Sequence, residues 1–140
     1  MIPEQTIGEY RVKYVAGYAH LCKGDSELWC DKNDVQSRIL RLLTGHVLLS
    51  GLGLGWLAEH TLSKVDVKSV TVIEISQEII DMVSPYIDNK IVIIQGDIKT
   101  ILLSPFDSCY IDIAIDATQK LRVKLKQLIA KVYFLSEIGK

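Results

Sequence analysis

The sequence predicts an α/β fold in which a mostly parallel sheet carries helices on its faces and follows an N-terminal β-hairpin. Two observations carry this expectation. From residue 46 onward, short β-branched runs alternate with helical stretches, and the runs are apolar almost throughout, as strands buried on both faces must be. Before residue 46 the pattern differs, with strand-like segments set around Gly17 and Lys23-Gly24-Asp25.

The elements follow in order. Glu9 to Ala16 and Glu27 to Asp31 read as the two hairpin strands, joined by a turn-rich span, and Val35 to Leu43 reads as a short connecting helix. The core strands are His46 to Ser50, stopped by Gly51; Ser69 to Ile75; Lys90 to Gln95, stopped by Gly96; and Ser108 to Ile113. Between them, residues 55–64 place Leu57, Ala58, Thr61, Leu62 and Val65 on one side of a helix. Residues 77–84 follow Ser76, a good N-cap, and end at Pro85, whose ring removes a helical hydrogen bond. A last helix from Thr118 to Leu135 carries Leu121, Leu125, Leu128, Ile129, Val132 and Leu135 on one stripe with lysines between them. Residues 1–45 are expected to form one unit with the core at 46–140, with no linker between them.

Composition excludes several classes. The 140 residues are 49% apolar and 24% charged, too apolar for a disordered chain, and no apolar run approaches the length that spans a bilayer. A net charge of −1 argues against a protein that coats nucleic acid. The start shows no apolar stretch behind a basic n-region, so no signal peptide is expected. Cys22, Cys30 and Cys109 are too few and scattered for a disulfide framework or zinc site, as are His20, His46 and His60. Reduced thiols, a cytoplasmic location and no metal are the expectations. Charge is uneven: residues 1–117 hold 10 basic against 16 acidic residues, whereas the last 23 hold 6 basic residues and Glu137. Nucleic acid is therefore a candidate partner, although a solvated helix face explains the same lysines.

The informative stretch is Val47-Leu48-Leu49-Ser50-Gly51-Leu52-Gly53-Leu54-Gly55, a strand entering a glycine-rich turn and then a helix. Such a turn lets a ligand lie against bare backbone, although a tight strand–helix turn alone would also use glycine. Glu74 follows Gly55 by 19 residues at the tip of the next strand, placing a carboxylate where it can accept both hydroxyls of a ribose. Trp56 stands where a dinucleotide fingerprint wants its third glycine, which disfavours NAD and FAD. Asp97, in Gln95-Gly96-Asp97-Ile98, can accept from the exocyclic amino group of a purine or cap a following helix.

Taken together, residues 46–117 resemble the Rossmann-like nucleotide-binding core of the class I S-adenosylmethionine-dependent methyltransferases. Gly51, Gly53 and Gly55 match the glycine motif, Glu74 the ribose-binding acid and Asp97 the adenine-side acid. The family's usual acid two residues before the first glycine is replaced by Leu49, a departure shared by the spermidine-synthase branch, whose N-terminal hairpin is also similar. Small phage-encoded methyltransferase-like proteins resemble most of the chain. The resemblance implies cofactor-binding roles for Gly51, Leu52, Gly53, Gly55, Glu74, Ile75, Asp97 and Ile98, with S-adenosylmethionine, or its decarboxylated form, as cofactor.

Phe106 to Asp112 matches the polyamine-synthase strand whose terminal aspartate orients and deprotonates an amine, making Asp112 the implied base. That family's second aspartate falls on Ile115, with Asp116 one place late, and no D/N-P-P-Y/F signature follows Asp112. The function implied is methyl transfer to an unidentified acceptor; the alternatives are aminopropyl transfer and a non-catalytic nucleoside-binding subunit. Trp56, His60, Tyr18, His20, Trp29 and Cys109 read first as packing or solvated residues, with Tyr18, His20 and Trp29 a possible wall over the ligand. The core order implied is 3-2-1-4, truncated at the C-terminus, leaving the fourth strand as an edge for the hairpin or a second protomer to cover.

Overall fold

Two-residue turns shape the N-terminal segment. Ala16 and Gly17 both take positive φ, 53° and 84°, the geometry that folds a strand back along its own twist. The strands are β1 (Gln5–Ile7), β2 (Tyr10–Val15), β3 (Tyr18–Lys23) and β4 (Ser26–Cys30), antiparallel and in the order β1-β2-β3-β4. The expected single hairpin is thus a four-stranded sheet. The span between the two expected strands holds a strand of its own, because Ala16-Gly17 and Gly24-Asp25 are two separate tight turns, and Ala19 and Leu21 between them alternate into the core. The structure is a computed structural model and describes residues 2–30, 34–101, 105–112, 125, 129 and 131–134.

Helix α1 (Asp34–Leu42) leads into the second sheet. The remaining elements are β5 (Gly45–Ser50), α2 (Trp56–Leu62), β6 (Val67–Glu74), α3 (Gln77–Val83), a 3₁₀ turn at Ser84–Tyr86, β7 (Val92–Gln95), β8 (Ser108–Ile111) and β9 (Lys131–Phe134). Ser76 caps α3 as expected, its hydroxyl accepting from the Ile79 N–H at 3.3 Å, and Pro85 lies in the 3₁₀ turn that follows. Lys64 donates to the Leu40 carbonyl at 2.6 Å and to the Leu43 carbonyl, satisfying acceptors at the end of α1.

The five strands β7-β6-β5-β8-β9 are all parallel and lie in that order. Side chains alternate across the sheet. Val47, Leu49, Val70, Val72 and Tyr110 face one layer, formed by α2, α3 and the inner side of the N-terminal sheet with Val12 and Leu21. Leu48, Ile73, Cys109 and Ile111 face the other, where Ile98, Leu125 and Ile129 pack. Each fully buried Leu or Ile contributes about 1.5–3 kcal/mol. An exposed ion pair such as Lys23–Glu9, at 3.8 Å, adds only about 0–1 kcal/mol, so the two apolar layers hold the fold. Among the described residues no helix is long and apolar enough to cross a membrane.

The core order 3-2-1-4 is present as β7-β6-β5-β8, but β8 is not an edge. Lys131–Phe134, expected to continue the last helix, instead forms β9 and pairs in parallel with Ser108–Ile111. Neither the N-terminal sheet nor a second protomer is needed to cover β8. The physical reason is local: Val132-Tyr133-Phe134 is a β-branched and aromatic run, and the open backbone of β8 offers it a full ladder. An i to i−4 bond from the Ile129 N–H to the Leu125 carbonyl, 2.8 Å long, agrees with the helix further upstream; the rest of residues 113–130, with most of the basic face, lies outside the described residues.

An interior β8 makes a direct prediction. Hydrogen exchange at the amides of Cys109 to Ile111 should be as slow as at Val47 to Leu49 of β5; fast exchange there, with β5 protected, would show β8 to be an edge.

Candidate functional site

Parallel strands that start in register also end together. Ser50 pairs with Ile73 and Ile111, and Glu74 with Gln95, so the loops after β5, β6, β7 and β8 open on one carboxyl edge of the sheet. This is where ligands bind in wound α/β sheets. A cleft of about 350 Å³ lies there, lined by Ser50, Gly51, Ile73, Glu74, Ile75, Gly96, Asp97, Ile98, Lys99 and Asp112. A second cavity of about 50 Å³ is lined by Trp29, Gln36, Ser50, Gly51, Leu52, Gly53, Trp56, Leu57, Tyr110 and Asp112. Ser50, Gly51 and Asp112 border both.

The sequence-predicted residues therefore divide. Gly51, Glu74, Ile75, Asp97, Ile98 and Asp112 meet at the large cleft, while Leu52 and Gly53 face the smaller cavity. Gly55 borders neither; it lines a separate hollow beside Ile2 and Tyr86. Two glycines show why. Gly51 has φ 98° and its N–H binds the Ile73 carbonyl at 2.8 Å, and a Cβ added there would meet nothing within 4 Å. Its bare face looks into open cleft. Gly55, with φ 86°, would drive a Cβ to 2.7 Å from Ile87 Cγ2, so its role is packing at the start of α2.

Glu74 is only 6% exposed, and its carboxylate is pinned by backbone. Oε1 accepts from the Leu52 N–H at 2.9 Å and Oε2 from the Ser76 N–H at 3.0 Å. One side chain thus fixes both the glycine turn and the entry to α3. An ionised carboxylate has about four acceptor positions, so each oxygen keeps one free for a ligand hydroxyl. Asp97 accepts from the Lys99 N–H at 2.9 Å, and its carbonyl accepts from Thr100 and Ile101. It stabilises a turn rather than the start of a regular helix, and its side chain still borders the cleft. Ile75 stands 64% exposed at the cleft and offers an apolar surface to a flat base.

Asp112 sits half-buried at the junction of the two cavities, and burial raises its pKa above the ordinary carboxylate range. Burial, together with the charge of Asp112, also pushes the Tyr110 hydroxyl up, keeping the phenol neutral. Gln36 was not singled out by the sequence motifs. It is 2% exposed, borders the smaller cavity, and neither its Oε1 nor its Nε2 has a hydrogen-bond partner. A signal for it exists: Gln36 shares the buried side of α1 with Ile39, in line with Leu43 just past the helix end, where a polar side chain is out of place.

The aromatic residues sort as follows. Trp56 stacks on His60, centroids 3.9 Å apart, and does not border the large cleft. Trp29 lies over the turn, 3.5 Å from the Cβ position of Gly53, while Tyr18 is 41% exposed and His20 is engaged elsewhere on the N-terminal sheet. Only Trp29 of the three joins the wall. Cys109 is fully buried with its thiol pKa pushed up by burial, an apolar filler as expected. Ile115 and Asp116 lie outside the described residues.

No family model and no curated protein matches the chain in sequence. Solved structures match its fold. A dimethyladenosine transferase from Plasmodium falciparum aligns at TM-score 0.54 and 23% identity, over 67% of this chain and 35% of that one. The plantazolicin methyltransferase BpumL, in complex with a monoazolic desmethylPZN analog and SAH, aligns at 0.59 and 18%, over 74% and 48%. The N-methyltransferase NodS from Bradyrhizobium japonicum aligns at 0.59 and 17%, over 74% and 69%. The chain thus spans about a third of the length of the first and about half of the second. Its fold, a parallel Rossmann-like sheet, is the one these methyltransferases share.

Two predictions follow from groups buried without compensation. Gln36→Leu should stabilise the ligand-free protein by about 1–3 kcal/mol, since it removes unsatisfied polar atoms; urea unfolding will measure it, and a loss of stability would reveal a bonded amide. For Asp112 the raised folded pKa means that the native state holds the proton more tightly than the unfolded chain. Stability is then greatest at acid pH and falls as pH rises through the folded value. Asp112→Asn should raise Tm at neutral pH, with the gain vanishing below about pH 4.

Proposed function

We propose that the chain is an S-adenosylmethionine-dependent methyltransferase. One observation carries the reading: Glu74 and Asp97, two carboxylates from different strand ends, border one cleft with the open face of Gly51 and the exposed Ile75. That set suits an adenosine group. Glu74 has acceptor positions free for the ribose hydroxyls, Asp97 can accept from the purine amino group, and Ile75 covers the base. The start of α2 is not offered to a phosphate there, because neither Gly55 nor Trp56 lines this cleft. The SAH complex of BpumL supports the same ligand class for this fold.

The sulfonium cofactor supplies a methyl carbon already activated for displacement. The chain's own contribution is placement, which can be worth up to about 7–11 kcal/mol. The sulfonium end of the ligand would run along Gly51 toward Asp112, which borders both cavities. Asp112, ionised, accepts a hydrogen bond only. It would therefore orient a nucleophile bearing an N–H or O–H and receive its proton. Gln36, Trp29 and Tyr110 enclose the smaller cavity and keep bulk water from that position. The solved structures of similar fold are methyltransferases and give no support to the spermidine-synthase-like branch, so methyl transfer is the preferred reaction.

Titration calorimetry tests the proposal. S-adenosylmethionine and S-adenosylhomocysteine should each bind one site, and NAD should not. Glu74→Gln, which keeps shape but exchanges an acceptor for a donor, should weaken that binding by roughly ten- to a hundredfold, the scale of a lost charged hydrogen bond. A folded protein that binds neither nucleoside overturns the proposal. Binding without turnover on any amine or hydroxyl acceptor points to a nucleoside-binding subunit, which the wild-type and Asp112→Asn proteins would then serve equally.

A further inference from the structure

A second cluster of reactive groups lies on the N-terminal sheet, apart from the cleft. His20 on β3 pairs directly with Cys30 on β4, and Cys22 with Glu27. Between these pairs β4 carries an extra residue, Leu28, and this bulge turns Glu27 onto the side of Cys30 although the two are three residues apart. The result is a short chain of contacts. His20 Nδ1 lies 2.7 Å from Glu27 Oε1, and His20 Nε2 lies 3.5 Å from Cys30 Sγ. Trp29, between Leu28 and Cys30, pairs with Leu21 and borders the smaller cavity, so strand alternation sets Cys30 on the opposite face.

The chemistry follows from the partners. A carboxylate accepts but cannot donate, so Glu27 fixes the imidazole N–H on Nδ1 and leaves Nε2 as an acceptor facing the thiol. Nucleophile, base and orienting acid are thus in sequence, the arrangement that activates a sulfur for attack. Of the three cysteines, Cys22 and Cys109 are buried, and only Cys30 is reachable. A metal site fits less well. The ligand atoms of His20, Glu27 and Cys30 lie within 4.8 Å of one another, but they are three, one short of a closed zinc site, and the 2.7 Å contact already engages His20 Nδ1 with Glu27.

We infer that Cys30, His20 and Glu27 form a second reactive site, one that exchanges its thiol with low-molecular-weight disulfides. In the step, His20 Nε2 takes the proton from Cys30 Sγ. The thiolate then attacks one sulfur of the disulfide, a new S–S bond forms to Cys30, and the old S–S bond breaks. The departing thiolate carries that electron pair away and takes the proton from the imidazolium. Sulfur oxidation balances, since the incoming disulfide supplies the oxidising equivalent.

The test uses the full chain in the presence of a chelator, so that no cation sets the rate. Alkylation by iodoacetamide and mixed-disulfide formation with oxidised glutathione are followed at Cys30 by peptide mass. At pH 7 both should run about tenfold faster than on N-acetylcysteine, as for an activated thiol. His20→Gln should remove that advantage, and the exposed-site variant Glu27→Gln should reduce it severalfold while leaving the circular-dichroism spectrum unchanged. Rates equal to the free thiol, or rates that neither variant alters, overturn the proposal. Cys30→Ser serves as the labelling blank.

Discussion

The carboxylate of Glu74 is the constraint on which the candidate site depends. Its two oxygens hold the Leu52 N–H of the glycine turn and the Ser76 N–H before α3, so the loops after β5 and β6 cannot move independently. Charge-assisted bonds of this kind are about twice as strong as neutral ones, and at 6% exposure they are shielded from water. The residue that would meet a ribose therefore also builds the surface the ribose would rest on. This coupling explains why a charged side chain is accepted between Ile73 and Ile75 at the end of a buried strand.

Around that fixed point the protein leaves other polar groups unpaired. The Gln36 amide lacks partners, and Asp112 is held where burial disfavours its charge. Both border the same small cavity, whereas the two apolar layers of the sheet are packed without such exceptions at the strand centres. A third group, the buried Thr61 hydroxyl of α2, also lacks a partner and borders neither cavity; the two that share one cavity mark a place shaped for something other than stability. The cluster at His20, Glu27 and Cys30 is different in kind, because there the groups satisfy one another and the interest lies in their order.

Much of this was legible in the sequence, and the misses have a common cause. The four core strands, the helices between them and the Ser76 cap follow from hydrophobic period and capping, and the convergence of Gly51, Glu74 and Asp97 from motif spacing, whereas Asp112 was pointed to by the family resemblance alone. The N-terminal strand Tyr18–Lys23 was hidden because its flanking turns are only two residues each and blur into one turn-rich span. Lys131–Phe134 was hidden because Val132 happens to continue the helical stripe of Leu125 and Ile129. In both places local pattern was ambiguous and a neighbouring strand decided.

By itself, then, the sequence determined the wound α/β core and the chemical identity of the residues at its carboxyl edge, since burial on both faces imposes unbroken apolar strands whatever the partners. Only the tertiary structure decided which groups those residues meet. Glu74 is tied to two backbone amides, Gly55 to Ile87, Gln36 to the smaller cavity, and β9 to the open side of β8. Such pairings join positions far apart in the chain, and their energies depend on distance and desolvation, which exist only once the strands have assembled.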